Sequence, residues 1–164
     1  MKIRAGTILL WLFVLTLGVG FGAGLYESRV VVPGWVDLPP ESWPNTGLMF
    51  WVYVTTVPLT LLTLANIVAA WRDRSPRGPA WRAATAIAVI ERLATFSYFI
   101  PTMVALMNEA STGPEVRATL DQWMWLNHGR HVLTLSAWLA ALRALSLSHR
   151  PYNAPLAVPE AGSR

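Results

Sequence analysis

Thr7-Ile-Leu-Leu-Trp-Leu-Phe-Val-Leu-Thr-Leu-Gly-Val-Gly-Phe-Gly-Ala-Gly-Leu25 contains no charged residue. A helix needs roughly 20 apolar residues to cross the hydrocarbon core of a bilayer. Three further stretches, Gly47 to Trp71, Ala80 to Met107 and Trp123 to Ser146, repeat the pattern over most of the 164-residue chain. Backbone amides in lipid must be satisfied within the segment, so each stretch is expected to be a helix. The expected fold is all-α: an integral membrane four-helix bundle over residues 1–150, with a flexible cytoplasmic tail over 151–164.

Composition agrees. Hydrophobic residues make up 54% of the chain and charged residues 13%, with a mean hydropathy of +0.40. A soluble domain carries about 25% charged residues. The net charge of +4 is not a nucleic-acid signal, because the basic residues cluster by topology. Lys2, Arg4, Arg72, Arg74, Arg77, Arg82, Arg143 and Arg150 fall at one end of the hairpins, and positive residues mark the cytoplasmic side. Both termini and the middle loop are therefore expected inside, in the inner membrane of a bacterium, with the loop between the first two helices outside. The partners implied are membrane lipids and a small hydrophobic substrate, with no nucleic acid. An oligomer is compatible with the sequence.

The chain has no cysteine, which excludes thiol-redox chemistry and thiolate metal sites. A basic start, an apolar run and small residues at Gly22, Ala23 and Gly24 mimic a signal peptide. The apolar run is long for a signal, so retention is expected. Gly18–Gly22 and Gly20–Gly24 have the small-xxx-small spacing of close helix packing. No strand precedes them, so a nucleotide loop is a poor reading. The outer loop, Tyr26 to Thr46, is expected to be irregular around its prolines, with a short extended piece at Val30–Val32 and with Trp35 and Trp43 at the membrane interface. Pro58 predicts a kink near Thr55, and Pro101 loosens the third helix.

Function speaks through the polar residues inside the apolar runs, because charge in a membrane is expensive and faces a partner or a polar cavity. Glu91, Thr95, Tyr98 and Thr102 share one face of the third helix, with Arg92 beside it. Asn127, Arg130, His131, Thr134 and Trp138 share one face of the fourth. A rise of 1.5 Å per residue puts Tyr98 about 13 Å and Arg130 about 10 Å below the outer ends of their antiparallel helices. Glu27 is the nearest plausible carboxylate. An outward-facing pocket is expected, walled by Tyr26, Glu27, Tyr98, Asn127, Arg130 and His131, with Trp51 and Trp125 near its mouth. Glu91 and Arg92 lie deeper, as a structural buried charge pair. The bland reading of all these groups is polar glue between helices. His128 and His131 lack a certain third ligand, so no metal site is assigned.

At Tyr26-Glu27 with Pro33 and Trp35, at Glu91-Arg-Leu-Ala-Thr-Phe-Ser-Tyr-Phe-Ile-Pro-Thr-Met-Val-Ala-Leu-Met107, and at Trp125-Leu-Asn-His-Gly-Arg-His131, the chain resembles a small four-helix membrane family that includes the fungal anthrone oxygenases. It is most similar to bacterial members of unknown function. The resemblance implies a four-helix membrane domain and oxygen insertion into an aromatic anthrone without a strongly bound cofactor. It carries over to Tyr26, Glu27, Asn127 and Arg130, but not to His128 or His131.

Two functions follow. In the first, a cofactor-independent oxygenase or oxidoreductase acts on a small aromatic molecule. His131 is the general base, Arg130 and Asn127 stabilise the developing oxyanion, and Glu27 orients His131 or holds Arg130. In the alternative, the protein is a non-enzymatic binding or accessory subunit that presents its outer loop and bundle to a partner.

Overall fold

The computed structural model describes residues 5–35, 38–43, 47–109 and 113–148; the 151–164 tail lies outside these residues. Four helical rods account for most of the described chain: α1 (Ala5–Trp35), α2 (Leu48–Arg72), α3 (Gly78–Met107) and α4 (Pro114–Leu147). They pack as a closed ring. Helix α4 lies most extensively against α3 and then α1, and α2 bridges α1 and α3.

Three of the rods, α1, α2 and α3, are long and apolar enough to cross a membrane. Helix α4 has the length, at 34 residues, but not the apolarity. Asp121, Asn127, His128, Arg130, His131 and Arg143 dilute it, so three of the four expected spans have the length and apolarity to cross a membrane. Its inward face lies against α1 and α3, which buries Asn127, His131 and Thr134.

The bundle turns apolar side chains outward along its whole middle. Leu15 on α1, Leu61 and Leu64 on α2, Leu93 on α3, and Val132 and Leu139 on α4 are all more than half exposed, while Asn66, Thr85, Glu91 and Asn127 are buried. A soluble helix faces the opposite way, and exposed apolar surface on this scale marks a surface that meets other apolar matter.

Three layers stack along the bundle axis. The first is apolar: Leu10, Phe13 and Leu17 of α1, Leu59 of α2, Ala84 and Ala88 of α3, and Ala137, Ala141 and Ala144 of α4. The alanines let α3 and α4 approach closely. A second apolar layer at the other end joins Val32, Trp43, Phe99, Leu106, Leu120 and Trp123. Between them sit the buried polar residues Thr55, Glu91, Thr95, Asn127, His131 and Thr134.

Proline controls the geometry of three rods in one way. Each of α1, α2 and α3 contains a π-helical turn, at Glu27–Val31, Trp51–Thr56 and Thr95–Phe99. Each turn closes with a bond between residues five apart: Val32 N–H to Glu27 O, Val57 N–H to Val52 O and Ile100 N–H to Thr95 O. In every case the next residue is proline: Pro33, Pro58 and Pro101. Proline has no N–H, and its ring collides with the carbonyl four residues back. Widening the preceding turn relieves that collision while the helix continues. Distortions therefore occur near Thr55 and before Pro101, as the sequence predicts. The same device overturns the expected extended piece at Val30–Val32, because α1 passes Pro33 as a helix and ends at Trp35.

Beyond α1, Trp35 and Trp43 stack at 5.1 Å. The Trp43 indole N–H donates to the carbonyls of Trp35 (3.1 Å) and Leu38 (3.2 Å), so Trp43 is buried and holds the loop against the bundle. That packing role is one the sequence did not reveal.

Candidate functional site

The polar layer is assembled mainly from α3 and α4. On α3, Glu91 accepts Arg92 Nε–H at 2.6 Å and Arg92 Nη2–H at 2.8 Å, and its Oε1 also accepts the Thr95 hydroxyl at 3.0 Å. A buried carboxylate with an adjacent guanidinium and a hydroxyl is paired as expected. Arg92 Nη1 nevertheless remains buried without a partner.

On α4, Asn127 Oδ1 accepts Arg130 Nε–H at 2.7 Å. This bond links neighbouring turns of one helix and fixes the guanidinium inward, over the Phe99 ring of α3 at 5.1 Å. Thr134 donates to the Arg130 carbonyl at 3.0 Å. Trp123 donates across to the Phe99 carbonyl at 3.0 Å and stands edge-on to its ring. Arg130 is therefore held by its own helix and by an aromatic face.

The sequence places Tyr98 opposite Arg130, whereas the structure places Phe99 there. The stepping Glu91, Thr95, Tyr98, Thr102 assumes an unbroken α-helix. The π-helical turn at Thr95–Phe99 inserts about one residue's rotation, roughly 100°. Beyond it, Phe99 and Leu106 face the core, and Tyr98 packs edge-on to Phe99 from the side. The signal that could have revealed this was Pro101.

Glu27 opens the π-helical turn of α1 and is partly buried. It shares an electrostatic field with Arg130, and the Trp51 indole N–H reaches toward its carboxylate. No ion pair joins Glu27 to Arg130 and no hydrogen bond joins Glu27 to His131 among the described residues, so the expected direct contacts are not made. The Glu27 backbone lies at a widened turn, and its carboxylate acts on Arg130 through space.

His131 is buried against Gly24 of α1, where an added Cβ would lie 2.7 Å from Nε2. Gly18 makes a similar approach to the Trp138 indole, at 3.1 Å. Gly20 and Gly22 have nothing within 4 Å. The close packing read from the glycine run is thus real at Gly18 and Gly24, with neither small-xxx-small pair used as a pair. His131 Nε2, Asn127 Nδ2 and Trp138 Nε1 are buried with no partner among the described residues.

The expected mouth is arranged differently. Tyr26 (61% exposed) and Trp125 (75%) lie on the outer surface of the bundle. The open space beside this layer is a half-open cleft of about 370 Å³ between the end of α1 and the outer turns of α4. It is lined by Ser28, Arg29, Pro33, Asp121, Trp123, Met124, Trp125, Asn127 and His128. Of the residues expected around the pocket, Asn127 and Trp125 line this cleft, whereas Tyr26, Glu27, Trp51, Tyr98, Arg130 and His131 do not. Asn127 is the connection: it borders the cleft and also holds Arg130. Ser28, Arg29 and Asp121 were missed because they flank the apolar runs.

Among the described residues, no group of three or more metal-ligating side chains gathers. Comparison of the chain with protein-family models, with curated proteins and with solved structures finds no match.

Proposed function

We propose that this protein is a multi-pass inner-membrane protein with both termini in the cytoplasm, whose polar layer receives the oxygen-bearing part of a small hydrophobic aromatic molecule and oxidises it with molecular oxygen, without a tightly bound cofactor. The chain's resemblance to the anthrone-oxygenase family supplies the reaction class. The observation that carries the reading is the state of Asn127 and His131: Asn127 uses its oxygen to aim Arg130, and leaves Nδ2 unpartnered, as His131 leaves Nε2. Buried polar atoms without partners are rare and costly, and in lipid water cannot serve them freely. A ligand oxygen would accept from Asn127 Nδ2–H, and an acidic hydrogen of the same ligand would meet His131 Nε2.

In the reaction, His131 Nε2 accepts a proton from an acidic carbon of the substrate. The resulting carbanion passes one electron to dioxygen, the two radicals recombine to a peroxide that takes the proton back from His131, and loss of water with the remaining C–H hydrogen yields a carbonyl. Asn127 Nδ2–H and the Arg130 guanidinium stabilise the negative oxygen of the ring system, in the manner of an oxyanion hole. Glu27 contributes a carboxylate to the field around Arg130. Phe99 and Trp123 offer aromatic faces beside it.

Oxygen uptake by the purified protein with anthrone as the probe tests the reading. Wild type is expected to consume oxygen, insensitive to chelators, and Arg130→Ala to abolish consumption while protein stays in the membrane. No uptake by wild type, or full uptake by Arg130→Ala, overturns it. The alternative, a binding or accessory subunit, draws on one observation: the cleft stops at Asn127 and leaves His131 enclosed. Orientation is tested separately, by reporter fusions at Arg164 and near Asp37, which are expected to give opposite readings.

A further inference from the structure

The cleft between α1 and α4 has a chemistry distinct from the polar layer beneath it. Arg29 and Asp121 both line it and both are exposed, yet no ion pair joins them among the described residues. His128 stands in the same lining, also exposed and without a side-chain hydrogen bond among the described residues. Ser28 is engaged with its own helix, donating to the Leu25 carbonyl at 3.2 Å. The floor contains Asn127, which is 0% exposed and has an unpartnered Nδ2. The walls are Pro33, Trp123, Met124 and Trp125. A cation and a carboxylate that share a cleft without pairing leave room between them for a group carrying both signs.

The setting narrows that group. Trp125 projects from the outer turns of α4, as indoles do at a membrane–water interface. The apolar surfaces of α1 and α4 continue from the cleft along the bundle, so a ligand here has apolar matter on one side and water on the other. The volume falls in the range of small-molecule sites. We infer that this cleft is a binding site for a zwitterionic phospholipid headgroup bearing a primary ammonium, that is, phosphatidylethanolamine. Its phosphate meets Arg29 and His128. Its ammonium donates to Asp121, and its chains run down the apolar face beside Trp123 and Met124. Phosphatidylcholine shares the phosphate, but its quaternary ammonium has no N–H for Asp121. Phosphatidylglycerol has no cation. This site stands independently of the oxidation proposed above.

The test is lipid retention by the purified protein, measured by native mass spectrometry after equilibration with each of the three lipids. Retention of phosphatidylethanolamine is expected to exceed that of phosphatidylcholine by about fivefold, the ratio equivalent to one net hydrogen bond. Asp121→Asn is expected to lower both, phosphatidylethanolamine more, and so to bring the two to the same level. Arg29→Gln is expected to lower both. Because both side chains are exposed, the melting temperature should stay at the wild-type value and report an intact bundle. Equal retention of the three lipids, preference for phosphatidylglycerol, or a phosphatidylethanolamine preference that survives Asp121→Asn overturns the inference. Soluble phosphoethanolamine is expected to leave the melting temperature unmoved; a shift with it, in the absence of lipid retention, assigns the cleft to a free phosphate ester and also overturns it.

Discussion

Around Trp81, where the chain gathers its basic residues, buried polar groups are paired across helices. The Trp81 indole N–H donates to Asn66 Oδ1 at 2.7 Å, and Asn66 Nδ2 donates to the Leu62 carbonyl at 2.8 Å. Arg77 donates to Asp73 at 2.7 Å, to Thr7 at 3.1 Å and to Ser148 at 3.0 Å, and its guanidinium lies over the Trp81 ring at 4.9 Å. One arginine thus touches α1, the turn before α3 and the end of α4. Toward the other end, polar side chains are just as buried, but Arg92 Nη1, Asn127 Nδ2 and His131 Nε2 have no partner among the described residues, and π-helical turns widen three of the four helices there. The first region is arranged as a clamp. The second retains polar capacity that the protein does not use on itself, and π-helical turns are frequent at functional sites.

The largest expected effect tests whether the Glu91–Arg92 pair is self-contained. Breaking a buried pair by removing one partner costs about 3–5 kcal/mol. Arg92→Met alone should therefore destabilise the protein more than the double change with Glu91→Gln, measured as thermal stability in detergent. Additive losses would mean that the two charges do not share an environment. Next is the clamp. Asn66→Leu leaves the Trp81 N–H buried and unpaired, with an expected loss of about 1–3 kcal/mol, whereas His131→Leu, which breaks no hydrogen bond among the described residues, should cost activity before stability. An equal stability loss at both positions would erase the contrast between the regions.

Helix packing gives a comparable test. Gly24→Ala forces a Cβ against the His131 ring, and Gly20→Ala meets open space. The first should destabilise the bundle by about 1–3 kcal/mol, as overpacking does, and the second should be nearly neutral by thermal melting.

The smallest effect is acid-dependent. Burial opposes ionisation of Asp73, but hydrogen bonds from Ser75 and Arg77 and the Arg77 charge outweigh it and hold its pKa below the usual 3.8. A lowered folded pKa means that its stabilisation is complete above the unfolded value and is lost as pH falls through the folded one. Asp73→Asn should therefore flatten part of the wild-type stability loss below about pH 4 and leave the pH 5–8 range parallel to wild type.

Much of this contrast can be read from residue order. The apolar runs announce the helices, and Pro58 and Pro101 mark two of the distortions. The buried pairing of Glu91 with Arg92 follows from their depth. What escapes is register. A π-helical turn shifts every later side chain by about one position, so Phe99 replaces Tyr98 opposite Arg130. The Asn66–Trp81 bond escapes for another reason: each residue alone reads as an ordinary polar or interfacial position, and only the packing of α2 against α3 joins them.

The central claim is that the polar layer is incomplete without a ligand. A cryo-electron-microscopy map of the protein in native-lipid nanodiscs, at a resolution that shows ordered non-protein atoms, tests it most directly. The account predicts organic density within hydrogen-bonding distance of Asn127 Nδ2 and His131 Nε2, with Arg130 still held by Asn127. Protein groups closing onto both atoms, or ordered water alone beside them, would contradict it.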